Sequence, residues 1–361
     1  MSELKLNEPK SPPHSSYLPL ASIIITSYNY EKFLSRAIDS ALEQTYPIKE
    51  IIVVDDGSTD NSRQIINGYG DRIIPIFKEN GGITSATNAG FFASQGEIIF
   101  FLDSDDIFFP HKVETMVNYF LQVVPQNPDV LISHRLEIRS KDGSSPSFYR
   151  PRTLRTLDGK KKNGPFEKIS DPATAYRYMQ KWGFFPSINS SASGLTLTRS
   201  LAGKIFPLPD GRVTAQDAPL VYASMLLGTV YGTSQVLGAY IIHGDNTCLQ
   251  QSWLDEKIDR FLTSENFLND ILQKMNKKRI ASFYESRRAA LYYQYSGSTK
   301  RLLKLAWKIP ARFFCWETMW FSIQTHWHCL KSAMGIKKKK RDTKKKLPIK
   351  TKEMQTIQHL S

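Results

Sequence analysis

Residues 96–106 read GEIIFFLDSDD, and the fold depends on this stretch. Five consecutive apolar residues, Ile98 to Leu102, are typical of a strand buried in a parallel sheet. The strand ends in three carboxylates within four residues, Asp103, Asp105 and Asp106. Ligands of open α/β sheets bind at the carboxyl ends of strands, so this turn is predicted to hold a divalent cation shared with substrate phosphates. A solvated acidic turn before the next helix is the alternative.

Strand and helix alternate in the sequence that leads to this stretch. Strands are predicted at 21–26 (ASIIIT), 50–54 (EIIVV) and 73–77, each followed by a helical segment. This alternation predicts an α/β fold with a parallel central sheet and helices on both faces. Right-handed crossovers then bring the loops after Thr26, Val54 and Leu102 to one edge, where they form a crevice of nucleotide size.

A second acidic pair, Asp55-Asp56, follows the strand at 50–54. Such a pair can bind a metal, accept hydrogen bonds from a base or ribose, or cap the next helix. The first strand is not followed by a GxGxxG turn, and the chain contains no phosphate-cradling P-loop sequence. A nicotinamide-type dinucleotide site is therefore not expected.

The positive charge is concentrated near the C-terminal end. Residues 337–352 carry ten Lys or Arg and one Asp, which accounts for nine of the fourteen net charges. The rest is only mildly basic, so nucleic acid is not the expected partner. Residues 1–17 are polar without an apolar core, which predicts a disordered leader rather than a secretory signal. The three Cys lack metal-ligand or CxxC spacing, which indicates reduced thiols and a cytoplasmic location.

The C-terminal part is predicted to be helical at 253–274 and 281–309, followed by an aromatic segment at 311–334. Aromatic and basic residues in succession favour a peripheral helix on an anionic membrane surface, facing the cytoplasm. Ordinary helix packing and a solubilising or nucleic-acid-binding tail are the alternatives. No run of apolar residues reaches the length of a membrane span.

Four blocks of the sequence together resemble the family 2 glycosyltransferases of GT-A fold. They occur in the family's order over about 85 residues and read IIITSYN (23–29), IIVVDDGSTD (51–60), NGGITSATNAG (80–90) and FLDSDD (101–106). The resemblance implies a Rossmann-like, mostly parallel GT-A domain over residues 19–250. A leader (1–18), a helical extension (251–335) and a polybasic disordered tail (336–361) would complete the chain.

The resemblance also implies an activity and its partners. A sugar would pass from a nucleotide-diphosphate donor, commonly a UDP-sugar, to a glycan or lipid-linked acceptor, usually with inversion and with Mg²⁺ or Mn²⁺ as the cofactor. The residues that match donor-binding positions are Thr26, Tyr28, Asp56, Asn88 and Asp103. Those that match metal or diphosphate positions are Asp105, Asp106 and His243.

Later blocks are implied to serve the acceptor. Ser193 and Gly194 match the entry to the acceptor cavity, and Asp217 matches the general base that removes the proton of the attacking hydroxyl. By itself, Asp217 is equally an acid favoured at a helix N-terminus. Two positions depart from the family pattern, since Thr87 stands where the family often has Arg and Gln216 replaces the Glu of a Glu-Asp pair.

Two alternatives to a glycosyltransferase stay open. The two departures motivate a non-catalytic scaffold that binds sugar nucleotides at the membrane. A phosphohydrolase of the haloacid dehalogenase type also places a DxDx[TV] motif after an apolar strand. Here, however, the fifth position is Ile107 and the strand is the fourth rather than the first.

Overall fold

The computed structural model describes residues 17–140, 164–182, 191–209, 216–243, 246 and 253–279. The chain divides into two compact units, and the first consists of residues 1–181, 185–243 and 255–279. This first unit contains the whole sheet and every residue predicted to act in a site.

Four parallel strands form the first half of the sheet. They are β1 (Ala21–Ser27), β2 (Lys49–Asp55), β3 (Ile74–Phe77) and β4 (Ile98–Asp103), in the order β3-β2-β1-β4. The helices α1 (Glu31–Leu42), α2 (Ser62–Asn67) and α3 (Ile83–Ala93) connect them. The predicted alternation is thus confirmed, and the first three strands agree with prediction to within one residue at each end.

Helices cover both faces of this half-sheet. Side chains alternate between the two faces of a strand. On β1, Ile23 and Ile25 share a buried cluster with Leu34 of α1, whereas Ile24 points to the opposite face and lies against Gly90 of α3. A side chain at position 90 would collide with Ile24, so Gly90 lets α3 approach the sheet closely. The predicted α/β class is confirmed.

The second half of the sheet is mixed rather than parallel. Its strands are β5 (Ile107–Phe108), β6 (Val130–Ser140), β7 (Phe166–Ser170), β8 (Leu195–Thr198) and β9 (Thr229–Ile242). Strand β8 is antiparallel to β4 and β6, while β9 is parallel to β6 and antiparallel to β5 and β7. In this half of the sheet, strands and helices do not alternate in short βαβ units. The rule for right-handed crossovers between parallel strands therefore does not predict the directions of these strands.

Five further helices accompany this half. They are α4 (Lys112–Val123), α5 (Pro172–Trp182), α6 (Arg199–Ile205), α7 (Asp217–Leu227) and α8 (Trp253–Lys274). The helix predicted at 253–274 is confirmed as α8. None of the described helices is both long enough and apolar enough to cross a bilayer. The leader up to residue 16, the helical segments predicted after 280 and the basic tail lie outside the described residues.

Candidate active site

The ends of three neighbouring strands bring the predicted donor residues to one edge of the sheet. In the register of the strands, Thr26 lies opposite Val54 on β2 and opposite Asp103 on β4. Thr26 is buried, while the Tyr28 side chain beyond the strand is 45% exposed. The sheet edge therefore has the polar side chains of Thr26 and Asp103 at its strand ends and the exposed aromatic ring of Tyr28 beside them.

The turn after β1 is fastened to the turn after β2. Asn29 has a φ of 57°, in the left-handed region that Asn tolerates better than most residues. Its Oδ1 accepts a hydrogen bond from Thr59 N at 2.8 Å, and its own backbone N–H donates to Ser58 Oγ at 2.9 Å. The two turns form one continuous rim next to Tyr28.

Three donors surround the carboxylate of Asp56. Its Oδ1 accepts from Lys78 Nζ at 2.6 Å and from Gly81 N at 3.0 Å, and its Oδ2 accepts from Gly82 N at 2.7 Å. Gly82 has a φ of 88°, a conformation that favours glycine, and it lets these two backbone N–H groups point at the carboxylate. Asp56 therefore holds the glycine turn against β2. Its role toward a nucleotide base stays a prediction.

The side chain of Asn88 bonds to protein backbone. Its Nδ2 donates to Leu208 O at 3.0 Å, and its Oδ1 accepts from Leu208 N at 2.8 Å. This reciprocal pair fastens α3 to the segment after α6. The structure thus gives Asn88 a structural contact, and a donor-binding role stays a prediction.

Asp103 ends β4 in a polar environment and is partly exposed. Its Oδ1 accepts from Gln216 Nε2 at 2.7 Å, and Ser193 Oγ lies 3.4 Å from its Oδ2. Burial, followed by the negative charges of Asp105 and Asp217, raises the pKa of Asp103 to about 8, although the two hydrogen bonds act in the opposite direction. An added positive charge would therefore be strongly favoured at this point.

Asp105 and His243 meet across the sheet edge, and their role as metal or diphosphate ligands stays a prediction. His243 Nε2 lies 2.9 Å from Asp105 Oδ2. The imidazole is stacked on Phe33, with ring centroids 4.2 Å apart, and it meets the Tyr30 ring edge-on. The ring is therefore held in place by aromatic neighbours from α1 and the turn that precedes it, while the Asp105 side chain remains 13% exposed.

Asp106, the third acid of the turn, faces the protein interior. It is 1% exposed, and its Oδ1 accepts a hydrogen bond from Ile241 N at 3.2 Å. Burial, together with the charges of Asp105 and Asp103, raises its pKa well above the usual range. Asp106 is thus less exposed than Asp105, whose side chain is 13% exposed.

Sequence reasoning missed Lys112, a fully buried lysine beneath the acidic turn. Its Nζ donates to Ser193 O at 2.6 Å and lies 3.1 Å from the centroid of the Phe108 ring. Burial lowers the pKa of Lys112 well below its usual value, against the opposite influence of Asp106 and Asp103. Lys112 places a cationic group next to the acids inside the core.

The residues predicted on the acceptor side lie directly behind Asp103. Ser193 and Gly194 form part of a buried 3₁₀ turn, residues 192–194. Ser193 Oγ accepts a hydrogen bond from Asp103 N at 3.0 Å, and Ser193 O is the acceptor for Lys112. Ser193 therefore links the acidic turn to the buried lysine. A contact of this turn with an acceptor stays a prediction.

The predicted base, Asp217, is the first residue of α7 and is partly exposed. Gln216 immediately before it is buried and donates to Asp103. The charge of Asp217 contributes to the raised pKa of Asp103, which places the two carboxylates in the same site. The structure thus brings together the strand end of β4 and the start of α7, which are more than 100 residues apart in sequence.

The described residues contain no group of three or more His, Cys, Asp or Glu side chains arranged to hold a metal ion. Mg²⁺ in nucleotide sites is generally held by one or two carboxylates together with substrate phosphates rather than by a complete protein cage. The exposed edge of Asp105, with its hard oxygen atoms, fits that arrangement. A three-ligand set of Asp105, Asp106 and His243 stays a prediction.

Comparisons with known proteins identify the relatives of this domain. Residues 22–181 match the profile of glycosyl transferase family 2. An uncharacterized glycosyltransferase of Nostoc is 38% identical over 234 residues, which cover 62% of this chain and 65% of that protein. The hyaluronan synthase of Pasteurella multocida is 42% identical over 112 residues, 30% of this chain and 12% of the synthase.

The chain spans less than two thirds of the length of these relatives, 65% of the Nostoc protein and 42% of a Rickettsia typhi glycosyltransferase. A solved structure of Staphylococcus aureus TarS in complex with UDP-GlcNAc overlaps with a TM-score of 0.47 at 15% identity, over 86% of this chain and 81% of that one. The GT-A fold expected from the four sequence blocks agrees with the family match and with the observed sheet.

Proposed function

Since residues 22–181 match the profile of glycosyl transferase family 2, we propose that this chain is a member of that family and transfers a sugar from a nucleotide-diphosphate donor, with a UDP-sugar as the first candidate, to a glycan or lipid-linked acceptor. One observation carries the proposal. The strand end with Thr26 and Asp103, and the helix start with Asp217, share one sheet edge although they are distant in sequence.

The donor would occupy the edge between β1, β2 and β4. The exposed ring of Tyr28 offers a surface on which a base can stack, and the Asp56 carboxylate lies beneath the glycine turn beside it. Asp103 is suited to accept hydrogen bonds from ribose hydroxyls, because its oxygens already accept bonds from Gln216 and Ser193 and are thereby held in one orientation.

Asp105, supported by His243, would hold Mg²⁺ or Mn²⁺ together with the diphosphate of the donor. When bound, such a cation neutralises the charge that develops on the leaving diphosphate. The Asp105 carboxylate contacts His243, and the imidazole of His243 is fixed by stacking on Phe33. The Asp105 oxygens therefore need little reorganisation when the cation binds. Asp106 and Lys112 are both buried beside the acidic turn.

Asp217 would act as the general base. At the start of α7 it is partly exposed and close to the donor-side carboxylates, as a base between donor and acceptor has to be. It would remove the proton from the acceptor hydroxyl as that oxygen attacks the anomeric carbon from the side opposite the diphosphate. Such an attack inverts the anomeric configuration.

Turnover separates this proposal from the scaffold that binds sugar nucleotides without transferring them. Asp217→Asn is expected to lower donor turnover by about 10²- to 10⁴-fold, the usual worth of a general base, with donor affinity unchanged. Asp71→Asn, an exposed acid outside the site, is the matched control and should turn over donor like the native protein. A native protein that binds a donor but never transfers or hydrolyses it would favour the scaffold.

We also propose peripheral binding to an anionic membrane surface at the cytoplasmic face, through the basic residues 337–352. A polybasic segment gains about 1 kcal/mol per Lys or Arg near such a surface. Vesicles that contain phosphatidylserine should float the full-length protein, and exchanging Lys337, Lys338, Lys339 and Lys340 for Glu should weaken flotation. Equal flotation of both proteins, or none by the native protein, would contradict this part.

A further inference from the structure

Gln216 occupies the junction between the donor side and the acceptor side of the site. Its side chain is 2% exposed and reaches two other elements. The Nε2 atom donates to Asp103 Oδ1 at the end of β4, and the Oε1 atom accepts from the hydroxyl of Thr87 on α3. Its backbone begins α7, where its carbonyl accepts from Leu220 N, so its main chain leads directly into Asp217.

An amide is the side-chain group that suits both contacts. Asp103 presents an acceptor, which needs the NH₂ end, and Thr87 presents a hydroxyl proton, which needs the oxygen end. The single hydroxyl proton of Thr87 has two acceptors within reach, Gln216 Oε1 and, at 2.7 Å, Ile83 O of its own helix. The Asp103 carboxylate can only accept, so it selects the orientation of the amide in which the NH₂ group faces Asp103 and the oxygen faces Thr87.

A carboxylate of the same shape would not serve. Glu has no N–H to donate, so it would place a second carboxylate oxygen against Asp103 Oδ1, where Gln216 Nε2 now donates. Gln supplies that hydrogen-bond donor with no net charge. The amide thus holds the Asp103 carboxylate in place without adding an ion to the site.

We propose that Gln216 is a positioning residue, supported by its contact with Thr87, which holds the Asp103 carboxylate toward the donor and ties the start of α7, with Asp217, to that carboxylate. The proposal rests on the proposed function, because it assigns Asp103 to donor binding and Asp217 to proton transfer. Thr87 and Gln216 act through those two residues and touch neither substrate. They therefore link donor affinity to the placement of the base.

Matched substitutions on α3 and at position 216 test this arrangement. Gln216→Met keeps the length of the side chain and removes both hydrogen bonds, and Thr87→Val removes the hydroxyl alone. Thr87→Ser keeps the hydroxyl. Thr84→Val is the control, since Thr84 is equally buried on the same helix and its hydroxyl has no hydrogen-bond partner among the described residues.

The readouts are the dissociation constant of the nucleotide-sugar that the native protein binds, and kcat and KM for its turnover. Gln216→Met should weaken donor binding about tenfold and lower kcat as well. The variant loses the hydrogen bond between Gln216 and Asp103, which holds the Asp103 carboxylate and links it to the start of α7 with Asp217. Thr87→Val should weaken donor binding several-fold, while Thr87→Ser and Thr84→Val should stay within twofold of native. The double variant Thr87→Val/Gln216→Met should be no worse than Gln216→Met alone, because Thr87 acts through Gln216.

Thermal melting separates positioning from folding. A purely structural role would lower the melting temperature of Thr87→Val and Thr87→Ser without changing donor affinity in the folded protein, and that result would overturn the proposal. Additive losses in the double variant would overturn it too. If Gln216→Met does not fold, the comparison of Thr87→Val with Thr87→Ser decides alone. A native protein that binds no donor would instead remove the proposed function, and this proposal with it.

Discussion

The two acidic turns of the sheet edge, after β2 and after β4, have the same kind of residue in opposite surroundings. After β2, Asp55 accepts from Arg63 Nε at 2.9 Å and from Ser58 N, while Asp56 accepts from Lys78 and two glycine N–H groups. After β4, Asp103, Asp105 and Asp106 lie close to one another. Burial and mutual repulsion raise the pKa of Asp103 and of Asp106.

The difference indicates which of the two turns stabilises the fold and which is suited to bind a ligand. Carboxylates surrounded by donors contribute to folding, because breaking their bonds leaves several groups unsatisfied. Carboxylates that repel one another cost folding free energy and are stabilised by an added cation. The turn after β2 therefore shapes the site, and the turn after β4 is expected to bind. Four changes test this contrast.

The largest expected effect on stability comes from Lys112→Met. It removes the cation buried beside the second turn and the donor to Ser193 O, so we expect a loss of about 3 kcal/mol in the free energy of unfolding. Urea denaturation measures this loss. Lys204→Met is the control, because Lys204 is half-exposed and pairs with Asp129 at the surface, where such pairs contribute less than about 1 kcal/mol. Equal losses would contradict a special role for Lys112.

The next effect is expected at the first turn. Asp56→Asn keeps the shape of the side chain but replaces one acceptor oxygen by a donor, which then faces Lys78 or Gly82. We expect a loss of about 2 kcal/mol in the free energy of unfolding, as for other charged hydrogen bonds. Denaturation of this variant beside Asp71→Asn checks the value. A stability like that of the native protein would show that the donors around Asp56 are not what holds the turn.

Asp103→Asn should act in the opposite direction. The substitution removes a negative charge from beside Asp105 and Asp217 and leaves an oxygen to which Gln216 can donate. Without metal or donor at pH 8, we expect the variant to be more stable by at least about 1 kcal/mol, because one unit of pKa shift corresponds to about 1.4 kcal/mol and solvent screens part of the effect at the partly exposed Asp103. A clear loss of stability would show that the second turn is as well compensated as the first.

The last test of the contrast is the dependence of stability on pH. Because the pKa of Asp103 is about 8 when folded and near 3.8 otherwise, the folded state binds more protons in between. The free energy of unfolding of the metal-free protein should therefore fall as the pH rises from about 4 to about 8. Asp106 acts in the same direction and Lys112 in the opposite one, so the slope is compared with that of Asp103→Asn. We expect the free energy of unfolding to depend less steeply on pH in Asp103→Asn than in the native protein. Identical slopes in the two proteins would contradict a raised pKa of Asp103.

Much of the fold was predictable because its signals are local. Apolar runs such as 98–102 and the helical spacing over 253–274 depend on neighbours in the sequence, and both elements were confirmed. The mixed second half of the sheet was not predicted in detail. Strand β8, residues 195–198, lies antiparallel between β4 and β6, a pairing that no turn or short crossover signals.

Site contacts that join distant parts of the chain could not be predicted. Lysine is rarely buried, so position 112, just after a Pro-His pair, gives no sequence signal for a core cation. The bonds from Gln216 to Asp103 and to Thr87 span more than 100 residues. The sequence did mark positions 87 and 216 as departures from the family pattern. Their mutual contact became visible only in the folded chain.

Calorimetric titration with UDP-, GDP- and dTDP-sugars, with and without Mn²⁺, is the most direct test of the central claim that the turn after β4 binds the donor. We predict that one donor binds in the presence of Mn²⁺ and that Asp105→Asn weakens its binding at least about 100-fold, since a carboxylate holds the cation. Asp71→Asn should bind like the native protein. Donor binding that is unchanged in Asp105→Asn, or no binding of any donor to the native protein, would contradict the account.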